Sequence, residues 1–248
     1  QIERYIRWHR EGHLSSTGTC FDIGLTVRES LGRFERTREA YAGSEDPQKA
    51  GNGSLMRLAP VPMAYAFLGE EAMARSGESS RTTHQAPSAV DACRYYGGLI
   101  AGALLGSSKE ELLGERFSPV TGYYEQAPLC AEVEAIALGS FKHRHPPDIR
   151  GSGYVVHALE AALWAFYHTD SFQAGCLLAV NLGEDADTTG AIYGQLAGAY
   201  YGVEGIPGHW LERLHARTMI EQFADELLRL AKVHSGASPA TILEGGAK

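Results

Sequence analysis

The chain has 248 residues, 44% of them hydrophobic and 21% charged, with a formal net charge of −8. That balance belongs to a globular protein able to bury a sizeable core in one large or two small domains, and the acidic excess argues against a nucleic-acid backbone as partner. No run reaches the roughly 18 apolar residues a membrane span needs. Four scattered cysteines (Cys20, Cys93, Cys130, Cys176) without a CxxC pair point to reduced thiols in a cytoplasmic protein, not a disulfide framework or zinc site.

Helical periodicity prevails nearly everywhere and alternating strand-like runs are scarce, which predicts an all-α fold. The chain opens at Gln1 with Ile2, Tyr5, Ile6 and His9 already at helical spacing and no capping residue ahead of them. This reads as a chain that begins inside a helix with an upstream segment absent; a processed terminus that starts helical is the alternative. Helices are predicted over residues 1–11, 23–33, 55–67, 70–76, 88–105, 108–113, 129–139, 153–168, 171–180, 187–202, 208–215 and 217–233. Breakers separate them at Gly43-Ser44-Glu45-Asp46-Pro47, Pro146-Pro147, Gly151-Ser152-Gly153 and Gly205-Ile206-Pro207-Gly208. Residues 1–233 form one domain in this reading, and 234–248 a frayed tail.

Several stretches could carry chemistry. Asp22, in Cys20-Phe21-Asp22-Ile23-Gly24, stands where a helix begins, so it caps that helix or faces a site. Gly51-Asn52-Gly53-Ser54 leads into the predicted helix opening at Leu55, where bare N–H groups and the helix dipole suit an anion; a plain capped turn needs the same residues. His84 is a phosphate or ribose contact, an acid or base, or a surface cap. His143 and His145 lack accompanying ligands and read as an exposed basic loop. Tyr154, after Gly151-Ser152-Gly153, stacks on a ligand or fills the core.

The most informative stretch is Leu182-Gly183-Glu184-Asp185-Ala186-Asp187-Thr188-Thr189-Gly190. Three carboxylates this close repel unless a cation or basic group offsets them. In sequence the nearest basic residues are Arg150 before and Arg213 after. Asp187, Thr188 and Thr189 are placed in the first turn of a helix, and Asp185 converges with Asp187 only from the preceding loop. Two carboxylates and a hydroxyl would then offer hard oxygens to Mg²⁺, Mn²⁺ or Ca²⁺; an acidic N-cap with solvated neighbours is the alternative. Gly190, Gly194, Gly198 and Gly202 follow at every fourth position. Each mid-helix Gly costs about 0.8–1 kcal/mol relative to Ala, so the row is read as a seam against which another backbone packs closely.

Taken in order, Cys20–Gly24, Gly51–Arg57, Thr83-His84, Gly153–Val156 and Ala179–Ala191 resemble the ADP-ribosylglycohydrolase family, nearest to its dinitrogenase-reductase-activating type. The similarity runs from about residue 1 to 232. The resemblance implies an all-α domain with central helices around a cleft that holds two Mg²⁺ (or Mn²⁺) ions. It implies hydrolysis of the bond between ADP-ribose and a protein side chain, arginine in this subgroup. Asp185, Asp187 and Thr188 would be metal ligands, with Asp185 and Asp187 also catalytic. Gly51, Asn52, Gly53 and Ser54 would line the ADP-ribose cleft, with His84 near ribose or phosphates. Gly153 and Tyr154 would border the scissile ribose, and Asp22 would face the departing guanidinium. The expected partner is an ADP-ribosylated protein or ADP-ribose itself, with no nucleic acid, and the chain is expected to be a monomer. One departure stands out: the family's second ligand set, Thr-Asp-Asp in a leading segment, occurs nowhere in these 248 residues. A catalytically silent ADP-ribose or nucleotide binder, a crystallin-like structural role and hydrolysis of another ADP-ribose linkage are the competing readings.

Overall fold

In the computed structural model, which describes residues 1–236, the helices follow in the order α1 (Ile2–Glu11), α2 (Leu25–Thr37), α3 (Pro60–Ala64), α4 (Gly69–Arg81), α5 (Pro87–Leu104), α6 (Lys109–Leu112), α7 (Tyr123–Gln126), α8 (Ala131–Ala137), α9 (Val155–Tyr167), α10 (Phe172–Val180), α11 (Ala186–Tyr201), α12 (Gly208–Leu211) and α13 (Arg217–His234). Among the described residues the only extended pairings are two isolated bridges, Ser44 with His84 and Gly51 with Tyr154. The fold is all-helical. The expected frayed tail falls, apart from residues 234–236, outside the described residues.

The centre is built from α5, α9 and α11. Helices α5 and α9 are apolar nearly all round, and such a helix is stable only when other elements cover it on every side. Here α4, α8, α9 and α11 pack around α5, and α10 and α11 against α9. Proline at the first turn of α5 starts it without losing a needed hydrogen bond. Ser171 caps α10 by accepting from the Ala174 amide. A second, smaller cluster of Ile2, Leu31, Phe34 and Ala42 joins α1 to α2 beside the main core. No helix among the described residues is long and apolar enough to cross a membrane. All four cysteines are free thiols.

The structure corrects two helical expectations. Residues 51–57 run in turns, and the helix predicted from 55 begins only at Pro60. The Leu55 and Met56 amides both bond to the Asn52 carbonyl, while Gln195 of α11 donates to the Leu55 and Met56 carbonyls and accepts from the Ala59 amide. Tertiary hydrogen bonds thus satisfy a backbone that a helix would have satisfied locally. The glycine seam is also misplaced. A Cβ on Gly190 would lie 2.8 Å from Val180 Cγ1, but Gly194 and Gly198 face open space and Gly202 is the positive-φ cap of α11. Close approach occurs elsewhere: a Cβ on Gly97 would meet Ser76 Oγ at 2.2 Å, and one on Gly175 would meet the Tyr193 hydroxyl at 2.1 Å.

Candidate functional site

Three loops meet at one edge of the core. The Asn52 amide donates to the Gly153 carbonyl (3.0 Å), the Val155 amide to the Ala50 carbonyl (3.0 Å), and the Asp185 amide to the Gly151 carbonyl (2.8 Å). Glycine at 151 is required by this crossing, since a Cβ there would sit 2.9 Å from Thr189 Oγ1 and 3.2 Å from the Gly183 carbonyl. The loops form the floor of a cleft of about 530 Å³, and α2 with the segment before it forms the facing wall. Trp8, Phe21, Asp22, Gly51, Asn52, Gly53, His84, Gly153, Asp185, Asp187 and Thr188 all line it. A volume of this size suits a nucleotide-sized ligand.

Asp185 sits immediately before α11 and Asp187 in its first turn, as the spacing requires for convergence. Asn52 Nδ2 donates to Asp185 Oδ2 at 2.7 Å, a bond across 133 residues of chain that fixes the carboxylate against the 51–53 loop. Thr188 is buried, and among the described residues its hydroxyl has only the weak acceptor Met56 Sδ, 3.7 Å away. Two carboxylates and a lightly engaged hydroxyl line one rim, and hard oxygens of this kind are the donors a divalent cation such as Mg²⁺ takes. No group of three or more His, Cys, Asp or Glu side chains comes together among the described residues, so the pair of ions implied by the resemblance has no second acidic set there. The third carboxylate of the cluster goes elsewhere: Arg150 grips Glu184 with two bonds of 3.0 Å, and with Arg150 beside it the Glu184 carboxyl is held below its usual range. The base nearest before the cluster in sequence supplies the offset.

His84 is not a surface cap: only 2% of it is exposed. Gly43 lets the 43–44 segment run against it, since a Cβ on Gly43 would lie 2.5 Å from the His84 amide nitrogen. The imidazole rests between Gly51 and Gly53, with Nδ1 2.8 Å from Thr83 Oγ1. Burial, and secondarily the charge of Arg57, push its pKa down to about 3, so the ring is neutral at physiological pH. Asp22 caps no helix, because α2 begins at Leu25 behind Gly24; its positive φ of 49° presents an exposed carboxylate at the cleft wall.

Two expected residues stand apart from the cleft. Ser54 turns inward, 1% exposed, accepting a hydrogen bond from Ser80 (2.9 Å), so the expectation that it lines the cleft is corrected. Tyr154 pairs through its backbone with Gly51 but sends its hydroxyl away to Glu132 (3.0 Å). Burial, then Glu132, holds that phenol above its ordinary pKa. One participant escaped the sequence reading: Trp8 lines the cleft from α1, off the stripe by which that helix was recognised. Arg57, at the end of the Gly51–Arg57 stretch, bonds the nearby Gly53 carbonyl and also reaches Tyr5 and Thr83, which only folding brings to it.

The ADP-ribosylglycohydrolase family profile matches residues 2–237. The chain is 38% identical over 229 residues to ADP-ribosylarginine hydrolase Tri1 of Serratia proteamaculans (strain 568), covering 92% of this chain and 60% of that protein. It is 33% identical over 218 residues to ADP-ribosyl-[dinitrogen reductase] glycohydrolase of Rhodospirillum rubrum, covering 85% and 66%. A solved structure titled ADP-ribosylglycohydrolase-related protein complex superposes with a TM-score of 0.78 at 41% identity, covering 93% of this chain and 73% of that one. An all-helical scaffold of this shape, with its cleft at the head of α11, defines a glycohydrolase-type domain. The chain belongs to the ADP-ribosylglycohydrolase family, and it spans only 60% of the length of the Tri1 relative.

Proposed function

We propose that this chain carries the ADP-ribose cleft of a metal-dependent hydrolase that removes ADP-ribose from modified arginine side chains. The observation that carries the reading is the Asn52–Asp185 bond: it joins the glycine loop and the acidic head of α11 into one rigid wall of a nucleotide-sized cleft. The printed names of the relatives, ADP-ribosylarginine hydrolase and ADP-ribosyl-[dinitrogen reductase] glycohydrolase, support arginine as the leaving side chain.

In this reading Asp185, Asp187 and Thr188 would hold Mg²⁺ or Mn²⁺. A cation bound there supplies a lowered pKa for bound water and polarises ribose oxygens. Asn52 keeps one oxygen of Asp185 engaged, so the carboxylate presents its other lone pairs in a fixed direction. Asp187 accepts the proton of the attacking water. Both carboxylates stabilise positive charge that develops on the ribose ring as the glycosidic bond breaks. Asp22, on the facing wall, receives the cationic guanidinium as it departs. Trp8 shields that side of the cleft from water.

The test pairs calorimetry with a hydrolysis assay on this chain, using ADP-ribose as ligand and ADP-ribosyl-arginine as substrate, with Mg²⁺ present and then removed by chelator. The expected result is binding together with cation-dependent release of arginine. Binding without turnover would identify a silent ADP-ribose binder. Turnover that survives the chelator would overturn the assignment of Asp185, Asp187 and Thr188.

A further inference from the structure

The cleft contains a relay of three side chains whose proton positions are determined by what each can donate. Arg57 directs its guanidinium to the Tyr5 hydroxyl (3.0 Å), the Gly53 carbonyl (2.6 Å) and Thr83 Oγ1 (2.5 Å), none of them a carboxylate. A guanidinium only donates. Thr83 Oγ1 therefore accepts from Arg57, and it also lies 2.8 Å from His84 Nδ1. Thr83 is fully buried, and its single hydroxyl proton has Nδ1 as the one unfilled acceptor within reach among the described residues. If Nδ1 carried the proton instead, Oγ1 would accept twice and leave its own hydrogen buried without a partner, the arrangement folded proteins avoid.

We propose that Arg57, acting through Thr83, fixes His84 in the Nε2–H tautomer and makes it an obligate hydrogen-bond donor to an acceptor oxygen of the ligand. Its Nε2 stands against Gly51, where a Cβ would come within 3.3 Å, and Cε1 stands against Gly53, where a Cβ would come within 3.1 Å. The glycines thus leave room for the ring, and His84 lines the cleft beside them. A nitrogen that carries this proton has no lone pair to take another, so His84 orients the ligand and is not a base in the reaction. Depression of its pKa by burial and by Arg57 points the same way. Arg57 and Thr83 are positioning residues. The tautomer is a property of the unliganded chain, while the identity of the bound oxygen rests on the ADP-ribose reading.

The two parts are tested separately. Protein labelled with ¹⁵N in its ten histidines is examined by NMR at neutral pH, and His84→Gln identifies the His84 signals by deleting them. The expected spectrum has a bare Nδ1 and a protonated Nε2. Thr83→Val should bring in the Nδ1–H form and weaken ADP-ribose binding about tenfold, the equivalent of one lost hydrogen bond. Thr83→Ser, which keeps the hydroxyl, should restore both. An equal loss for ADP and ADP-ribose in Thr83→Val places the acceptor oxygen on the diphosphate; a loss for ADP-ribose alone places it on the terminal ribose. A protonated Nδ1 in the unaltered chain, or a Thr83→Val spectrum identical to it, overturns the relay. A correct tautomer in a chain that binds no ADP-ribose leaves the relay standing and removes the functional reading instead.

Discussion

Replacing His84 with Gln should flatten the acid side of the protein's stability profile. In the folded chain the ring is 2% exposed and its pKa is pushed down to about 3, whereas the unfolded chain protonates it near its ordinary value of 6.5. Between those values the unfolded state binds a proton that the folded state does not, so stability falls as pH is lowered from 6.5 toward 3. Integrating from neutral pH, this one group removes roughly 2 kcal/mol by pH 5. For a domain of this size that corresponds to a drop of roughly 4–8 °C in Tm. Gln keeps a neutral polar side chain of similar reach and cannot titrate. It introduces an offset of its own at every pH, so the informative quantity is the difference in slope. Urea unfolding of both proteins at half-unit steps from pH 7.5 to 5 measures it. Parallel profiles for the two chains would refute the claim that His84 is held neutral by burial.

Other perturbations separate structure from chemistry. Asp187→Ala should cost at most about 1 kcal/mol of stability, the dipole contribution of an exposed first-turn carboxylate. It should abolish Mn²⁺ binding by calorimetry and lower kcat for ADP-ribosyl-arginine by at least about a hundredfold. Asn52→Ala removes a charge-assisted bond of about 1.5–3 kcal/mol to Asp185; the loss should register in thermal unfolding and in weakened ADP-ribose binding together. Two glycines should answer in opposite directions. Gly194→Ala, in open space within α11, should stabilise by up to about 1 kcal/mol. Gly175→Ala, 2.1 Å from a Tyr193 hydroxyl that itself bonds the Ser171 carbonyl, should destabilise by about 1–3 kcal/mol. Chemical denaturation of both variants checks the pair, and a matching sign would be evidence against the packing described for α10 and α11.

That last contrast marks the boundary of what the amino-acid order discloses here. Periodicity located α5, α9 and α11 to within about two residues, because each presents a long apolar face whose register is a local property. The place of Asp185 ahead of α11 was legible for the same reason: a helix cannot turn residues two apart toward one point. The glycine row was legible as a pattern but not as a contact. Which helix a glycine meets depends on partners far along the chain: within the row Gly190 alone packs closely in α11, while Gly97 and Gly175, outside it, approach their neighbours more closely still. Residues 51–57 failed similarly, since the carbonyls of Leu55 and Met56 are satisfied by Gln195, well over a hundred positions downstream. Separation along the chain also hid Tyr5 and Thr83, the folded partners of Arg57. Its significance lies in Thr83 and His84, and nothing local to the Gly51–Arg57 stretch signals that its last residue governs a proton on a histidine that becomes its neighbour only on folding. In this cleft, then, most of the groups lie in short motifs, but which of them holds which in place is written only in the fold.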